Sequence, residues 1–258
     1  MKQEKNNYSI AVLSSGSRTA FQLNETTLID AGSVTEAIDE SCASITEIWL
    51  THSHLDHIVD IAFMLDDYFE LRKESLTIVA LPKTIKALQE NFLNDTIWPD
   101  FSKIPLFNSN EMVVKYREIS ENRVYRLSSN ETIEAFLTDH TIDSCGYIYT
   151  YKDKSIVIAT DTYSLENIVH LLQKRETLKD LILECSFPNS MQNIAEVSKH
   201  LTPELLFRQL DNCTRDDFRL HINHIKPSYR EKIMQEIEEN RGEREVFFIK
   251  NKEILYFS

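Results

Sequence analysis

Three of the eight histidines and an aspartate lie within the seven residues THSHLDH, which begin at Thr51. An apolar, strand-like run precedes this cluster and apolar residues at helical spacing follow it, so it is predicted to lie on a strand-to-helix turn. Residues two apart on an extended strand end point the same way, which lets His52 and His54 converge on one point. Asp56 and His57 open the helix, where neighbouring side chains diverge by roughly 100°. The spacing therefore predicts two metal ions side by side.

The remaining ligands are expected at the ends of three later strands. His140, Asp161 and His224 each close an apolar, strand-like run. A lone histidine at a strand end is more often a packed or surface residue than a ligand, so each position is weak evidence by itself. Neutral imidazoles with carboxylates suit zinc, or manganese or iron, better than calcium or magnesium. The complete predicted two-metal set is His52, His54, Asp56, His57, His140, Asp161 and His224.

Composition and charge limit the other possibilities. The chain has 258 residues, 42% of them apolar, and no repeat or linker divides it, so a single domain over residues 1–258 is expected. The formal net charge of −13, without any lysine- or arginine-rich run, argues against long nucleic acid as a partner. Four well-separated cysteines, and the lack of an apolar leader or a span-length apolar run, predict a cytoplasmic protein that does not cross a membrane.

Strand-like runs occupy both halves of the chain, and helical patterns alternate with them in the second half. Thr202 before Pro203 predicts a helix start with a capping hydroxyl, and Ser228 with Glu231 has the spacing of a capping box. Strands from both halves with helices outside them favour an α/β fold in four layers, an αββα sandwich. The predicted strands cover residues 8–15, 19–23, 26–32, 45–50, 76–81, 132–140, 146–151, 155–161, 180–186, 218–224 and 245–250.

The motif HSHLDH, followed by the later His, Asp and His, resembles the metallo-β-lactamase superfamily. The resemblance covers nearly the whole chain, and LIDAG (28–32) is similar to the early strand and turn of that family. It implies a four-layered αββα fold with a binuclear metal site at one edge of the β-sandwich. By the same match, one metal takes His52, His54 and His140, the other takes Asp56, His57 and His224, and Asp161 bridges them.

Six separated motifs, in order, resemble the class II 3′,5′-cyclic-nucleotide phosphodiesterases. They are GSR (16–18), HSHLDHI (52–58), IWPDFS (97–102), LILECSFPN (181–189), KHLTPELL (199–206) and NHIKP (223–227). The resemblance implies a metal-dependent hydrolase that converts cAMP or cGMP, as its small-molecule partner, into a 5′-monophosphate. Two metal ions would provide an activated water and neutralise the phosphoryl oxygens.

The reaction also needs a proton donor for the departing ribose oxygen, and His200 is the candidate. Its place resembles that of the catalytic histidine of the tRNase Z branch, where it would also contact the phosphate; the alternative is a surface histidine at a helix start. Asp56 and His200 are therefore the expected catalytic residues. Trp98 is a candidate wall for stacking of the base, or simply packs in the core. Glu184 would orient a ligand histidine, or satisfy a backbone group.

Two other enzyme classes on the same fold remain open, a tRNase Z-like nuclease and an arylsulfatase-like hydrolase. The negative charge counts against the nuclease, as do the 21 positions from His140 to Asp161, which leave no space for a tRNA-gripping insertion. A non-catalytic protein that binds a nucleotide or metal would be expected to lack ligands, and here the set is complete. The sequence does not decide the base preference, the resident metal or whether the chain forms a homodimer.

Overall fold

The computed structural model describes residues 9–14 and 16–257. Tyr8 and Ser15, the ends of the first predicted strand, lie outside the described residues. Packing divides the chain into two compact units. We call Ala11–Ser120 with Asn251–Glu253 the amino unit, and Glu121–Lys250 with the described residues of 1–10 and 254–258 the carboxyl unit. That the whole chain is one domain stays a prediction.

The amino unit is built on a sheet in which β1 to β6 are neighbours in chain order. The strands of this sheet are β1 (Ser9–Val12), of which residues 11 and 12 belong to the amino unit, β2 (Phe21–Gln22), β3 (Thr27–Ile29), β4 (Glu47–Trp49), β5 (Leu76–Ala80) and β6 (Val114–Glu118). Pairing is antiparallel from β1 to β3 and parallel from β3 to β6. Its helices are α1 (Thr35–Ile38), α2 (Leu55–Ile58), α3 (Asp60–Asp66) and α4 (Pro82–Asn91), with a 3₁₀ helix at Asp39–Ser44.

Apolar side chains from both the sheet and the helices form the core of the amino unit. Ile48 of β4, Ile61 of α3 and Leu88 of α4 are among its fully buried members. Because β3 and β4 run parallel, their carboxyl ends lie at the same edge of the sheet. The residues that follow these strands, Asp30 and Thr51, are consequently brought into contact.

The carboxyl unit is built on a second sheet, in the order β13-β12-β11-β10-β9-β8-β7. Its strands are β7 (Val124–Arg126), β8 (Glu131–Thr138), β9 (Ser144–Tyr151), β10 (Lys154–Ala159), β11 (Leu178–Glu184), β12 (Arg219–Asn223) and β13 (Val246–Phe248). A further short strand, β14, spans Ile254–Tyr256. The helices are α5 (Glu166–Lys174), α6 (Gln192–Ser198), α7 (Pro203–Leu210) and α8 (Arg230–Asn240), with 3₁₀ helices at Asn189–Met191 and Pro227–Tyr229.

In this second sheet, the directions of the strands place the later predicted ligands at the same edge. β10 to β13 are parallel, while β9 is antiparallel to both β8 and β10, so β8 points the same way as β10. His140, Asp161 and His224 follow the carboxyl ends of β8, β10 and β12. Carboxyl ends at a common edge are where α/β proteins place their polar functional side chains.

The predicted mixed α/β class with two sheets is confirmed. Thr202 caps α7 as predicted, since its Oγ1 accepts a hydrogen bond from Leu205 N at 3.4 Å. The capping box at Ser228 is wrong, because a 3₁₀ turn occupies that position and α8 begins at Arg230 without a side-chain cap. No helix within the described ranges combines the length and apolarity that crossing a bilayer demands.

Candidate metal centre

The histidine cluster of the amino unit lies between β4 and α2. His52 and His54 precede the helix, and Asp56 and His57 lie within its single turn. His52 Nε2 and His54 Nδ1 are 3.1 Å apart, and the ring centroids of His52 and His57 are 4.1 Å apart. The nitrogens of His52 and His54 thus converge, as their spacing on a strand end predicts.

Asp30, which follows β3, contacts this cluster through His57 and Thr51. Its Oδ2 lies 2.7 Å from His57 Nδ1 and accepts a hydrogen bond from Thr51 Oγ1 at 2.8 Å, while Thr51 N donates to Oδ1 at 2.8 Å. Burial raises the pKa of Asp30, against the opposing effects of His57 and Thr51. A carboxylate facing Nδ1 fixes the imidazole with Nε2 as its free lone-pair donor. Sequence analysis missed Asp30, although it stands at the end of the apolar run in LIDAG.

Gly32 lets the chain after β3 approach the cluster closely. A Cβ atom at this position would lie 1.8 Å from the Asp56 carbonyl oxygen and 2.9 Å from Thr19 N. That same carbonyl accepts a hydrogen bond from Thr19 N at 2.9 Å, and Gly32 N donates to Thr19 O at 2.8 Å. Only glycine fits between these backbones, so Gly32 fixes the position of α2 and of its first-turn side chains.

His140, Asp161 and His224 come together in the carboxyl unit. His140 Nε2 lies 3.7 Å from Asp161 Oδ2, and His224 Nε2 lies 3.7 Å from Asp161 Oδ1. All three side chains are at most 2% exposed. Burial lowers the pKa of His140 although Asp161 opposes this effect, which favours the neutral imidazole that a metal requires.

His200 joins the same cluster and is held by Glu184. One possible ligand atom each from Asp161, His200 and His224 lie within 4.8 Å of one another. His200 Nδ1 is 2.7 Å from Glu184 Oε1, and Ser186 Oγ donates to Glu184 Oε2 at 2.6 Å. Burial lowers the pKa of His200, but the charge and hydrogen bond of Glu184 outweigh burial, and the net shift is upward. Glu184 therefore favours the protonated form of the His200 imidazole.

Glu184 is fully buried, and its described hydrogen bonds are with His200 and with residues close to His200. Besides His200 and Ser186, it accepts hydrogen bonds from Thr162 N at 3.0 Å and from Leu201 N at 3.3 Å. Orientation of a ligand histidine by Glu184 stays a prediction, whereas orientation of His200 follows directly from the 2.7 Å contact. Sequence analysis did not identify Ser186, which stands two residues after Glu184.

Trp98 is half-buried in the amino unit, on a loop that follows α4. Its carbonyl accepts hydrogen bonds from Asn94 N and Asp95 N. Within the same loop, Lys103 Nζ forms an ion pair with Asp95 Oδ2 at 3.2 Å. Its ring centroid lies 5.7 Å from that of Phe63 on α3, whose side chain is 41% exposed. Within the described chain, the buried indole Nε1 has no hydrogen-bond partner. The indole thus lies on a hydrogen-bonded loop beside an exposed aromatic ring.

The donor sets of both units fit divalent transition-metal ions. Nδ1 of His52 faces Thr51 Oγ1 at 3.0 Å, Nδ1 of His57 faces Asp30, and Nδ1 of His140 faces Lys199 O at 3.1 Å. Each of these rings therefore keeps Nε2 for a metal, which is the usual arrangement of metal-binding histidines. The 3.7 Å separations around Asp161 are too long for hydrogen bonds. They match two ligands of one ion, each bonded at roughly 2.0–2.2 Å.

A family model described as class-II cAMP phosphodiesterases matches residues 5–160. The 3′,5′-cyclic-nucleotide phosphodiesterase 1 of Saccharomyces cerevisiae is 27% identical over 234 residues, covering 76% of this chain and 61% of the yeast protein. The chain spans about three fifths of the length of the curated relatives it matches.

Solved structures extend the similarity to nearly the whole chain. Unliganded yeast PDE1 aligns with a TM-score of 0.81 at 17% identity, covering 96% of this chain and 99% of that one. YhfI of Bacillus subtilis, described as a metallo-β-lactamase fold protein, aligns at 0.70 with 16% identity, covering 96% and 98%. The short form of human tRNase Z aligns at 0.67 with 17% identity, covering 97% and 99%. These likenesses confirm the predicted metallo-β-lactamase fold.

Proposed function

Because the chain belongs to the class-II cAMP phosphodiesterase family, we propose that it is a metal-dependent hydrolase converting 3′,5′-cyclic nucleotides into 5′-monophosphates. The observation that carries the proposal is the pair of His/Asp clusters whose imidazoles keep Nε2 for a metal. The curated yeast relative is itself named a 3′,5′-cyclic-nucleotide phosphodiesterase. Cyclic AMP is the first substrate to test, and cyclic GMP is the alternative.

The proposed centre holds two divalent ions, zinc in the first instance, with manganese or iron as alternatives. Asp161 supports a bridging role, because one of its oxygens faces His140 and the other faces His224. When bound, the ions would supply an activated water and neutralise the phosphoryl oxygens. One ion would take His52, His54 and His140, and the other Asp56, His57 and His224. Asp56 would act in catalysis as a ligand that holds the second ion through its carboxylate.

His200 is the proposed acid. Its Nδ1 faces Glu184, so the proton for transfer is on Nε2. As the oxygen of water bonds to phosphorus and the bond from phosphorus to O3′ breaks, this proton passes to O3′. The attacking water gives up one proton to solvent, and the products are a free 3′-hydroxyl, a 5′-monophosphate and neutral His200. Proton donation of this kind contributes on the order of 10²–10⁴-fold to the rate.

Trp98 is the proposed wall for the base. The indole and the exposed ring of Phe63 beside it offer an aromatic surface on which a purine can stack. Such stacking contributes roughly 1–3 kcal/mol per base and tolerates different bases. It would strengthen binding without deciding between adenine and guanine.

We propose a single-domain, cytoplasmic protein whose partner is a small cyclic nucleotide rather than long nucleic acid or a membrane. The net charge of −13 supports the exclusion of polyanions. Light scattering of the purified chain would decide whether it forms a homodimer.

A tRNase Z-like nuclease is the second candidate, because human tRNase Z shares the fold. Between His140 and Asp161 lie a short loop, β9, a two-residue turn, β10 and one further residue, which leave no room for a tRNA-gripping insertion. An arylsulfatase-like hydrolase is a third candidate on the same scaffold.

The test is a substrate panel on purified protein loaded separately with zinc, manganese and iron. Cyclic AMP, cyclic GMP, bis(p-nitrophenyl) phosphate, an aryl sulfate and a precursor tRNA should be compared, with and without a chelator. We expect hydrolysis of cyclic nucleotides that the chelator abolishes. Faster cleavage of tRNA or aryl sulfate than of either cyclic nucleotide would overturn the proposal.

A further inference from the structure

Lys226 lies two residues after His224 and is half-buried. Its ammonium stands over the ring of Phe187, 5.2 Å from the ring centroid. Among the described residues, no carboxylate lies within ion-pair distance of it. Other lysines of the carboxyl unit do have such partners, as Lys199 with Asp139 at 3.2 Å shows. Lys226 therefore carries a positive charge that the described protein does not neutralise.

Lys226 and His200 contact the same aromatic ring, that of Phe187. Phe187 is buried and packs edge-on against His200, with 5.8 Å between ring centroids, and against Tyr229 at 6.4 Å. Pro227 follows Lys226 and holds its backbone in an extended conformation. A long, flexible side chain is thus confined by an aromatic ring and a proline.

An unneutralised, partly buried cation is costly unless an anion binds next to it. In a chain of net charge −13, such a cation also offers local attraction to an anion that the rest of the protein repels. A cyclic phosphodiester carries one negative charge, and a phosphate monoester carries about −1.5 to −2 near neutral pH. Lys226 therefore matches both the proposed substrate and its product.

We propose that Lys226 binds the phosphate, with its ammonium on a non-bridging phosphoryl oxygen of the cyclic nucleotide and then of the 5′-monophosphate. This inference rests on the proposed function for its substrate. Lys226 would orient the phosphorus toward His200 and, because the product carries more charge, would bind the product more tightly than the substrate. Inhibition by the 5′-monophosphate is the consequence.

The experiment compares Lys226→Met with Lys226→Arg and with the control Lys232→Met. Lys232 is an exposed lysine of α8 whose loss changes the net charge equally, and its ammonium lies 3.9 Å from Glu236. Calorimetry on the metal-loaded proteins would measure binding of 5′-AMP, inorganic phosphate and uncharged adenosine. We expect Lys226→Met to weaken 5′-AMP and phosphate binding about tenfold or more, with adenosine unchanged. Lys226→Arg should retain most of the affinity, and Lys232→Met all of it.

These measurements separate the inference from the proposed function. A wild-type protein that binds phosphate through Lys226 but does not turn over cyclic nucleotides would refute the function and leave the phosphate site standing. Equal affinities in Lys226→Met and wild type would overturn the inference, as would equal losses in the Lys232 control. Loss of bound metal from Lys226→Met would also overturn it, since the lysine would then support the centre. If Lys226→Met fails to fold, Lys226→Gln replaces it in the same comparison.

Discussion

Replacing Glu184 with glutamine tests whether His200 is held by a charge. The carboxylate accepts from His200 Nδ1 and Thr162 N on one oxygen, and from Ser186 Oγ and Leu201 N on the other. Glutamine has one accepting oxygen, and its NH₂ group can only donate. Ser186 can turn to accept from that NH₂, but Leu201 N then has no acceptor. The variant therefore keeps the volume of the side chain and changes only its charge and hydrogen bonding.

The magnitude follows from these contacts. A buried N–H group without a partner costs roughly 1–3 kcal/mol, and each remaining hydrogen bond that changes from charged to neutral costs roughly 1 kcal/mol. We expect the free energy of unfolding of Glu184→Gln to fall by about 3 kcal/mol or more. Part of this loss depends on pH. The raised pKa of His200 stabilises the fold fully below the unfolded value of about 6.5, and this contribution disappears as the pH rises through the folded value.

Urea unfolding followed by circular dichroism, at acidic and alkaline pH, would measure both parts. The alkaline limb of the kcat profile on cyclic AMP should also move to lower pH, because His200 without the carboxylate loses its proton more easily. Glu131→Gln is the matched control, because Glu131 lies on β8, outside the proposed centre. Its buried carboxylate accepts a hydrogen bond from Tyr149 Oη at 2.6 Å. It should lose stability and leave the pH profile in place. An unchanged pH limb in Glu184→Gln would refute the role of the charge.

The other predictions concern the metals, the acid, the close approach at Gly32 and the base wall. Asp161→Ala should lose both metal, by elemental analysis, and activity, whereas the exposed-histidine control His170→Ala should keep both. His200→Ala should lose on the order of 10²-fold in kcat on cyclic AMP but much less on bis(p-nitrophenyl) phosphate, whose leaving group needs no proton; equal losses would indicate phosphate positioning instead. Gly32→Ala should lower the free energy of unfolding by about 3 kcal/mol in urea titrations, because its Cβ would overlap the backbone of α2, and an unchanged midpoint would contradict this packing. Trp98→Ala should raise KM for cyclic AMP about tenfold or more without raising KM for bis(p-nitrophenyl) phosphate, and parallel changes would exclude base stacking.

The candidate ligands could be picked out from the sequence because the signals that mark them are local. Histidines two apart at a strand end converge whatever the rest of the fold does, and the observed 3.1 Å between His52 Nε2 and His54 Nδ1 reflects that spacing. His140, Asp161 and His224 each end an apolar run, and such runs form strands with a definite carboxyl end. The α/β class follows for the same reason, since most strands are apolar enough to be recognised.

The supporting residues could not be predicted, because their roles depend on which strand ends become neighbours. Asp30 reaches His57 only because β3 and β4 pair in parallel, and Ser186 reaches His200 only because the chain after β11 pairs with the segment at Leu201. The strand β6 was missed for a similar reason. Its sequence VKYRE is mostly exposed and charged, and it becomes a strand through pairing with the buried β5.

The backbone conformation of Asp30 and His224 is a feature that local sequence patterns do not reveal. Both have left-handed backbones, with φ of 56° for Asp30 and 54° for His224, which costs a non-glycine residue roughly 1–2 kcal/mol. Each follows the last residue of a parallel strand, where a left-handed residue turns the chain sharply. Glycine would adopt this backbone without strain, yet it has neither a carboxylate for His57 nor a nitrogen facing Asp161. Both units therefore carry backbone strain at a residue whose side chain stands at the carboxyl edge of the sheet, and strain of this kind is common at functional sites.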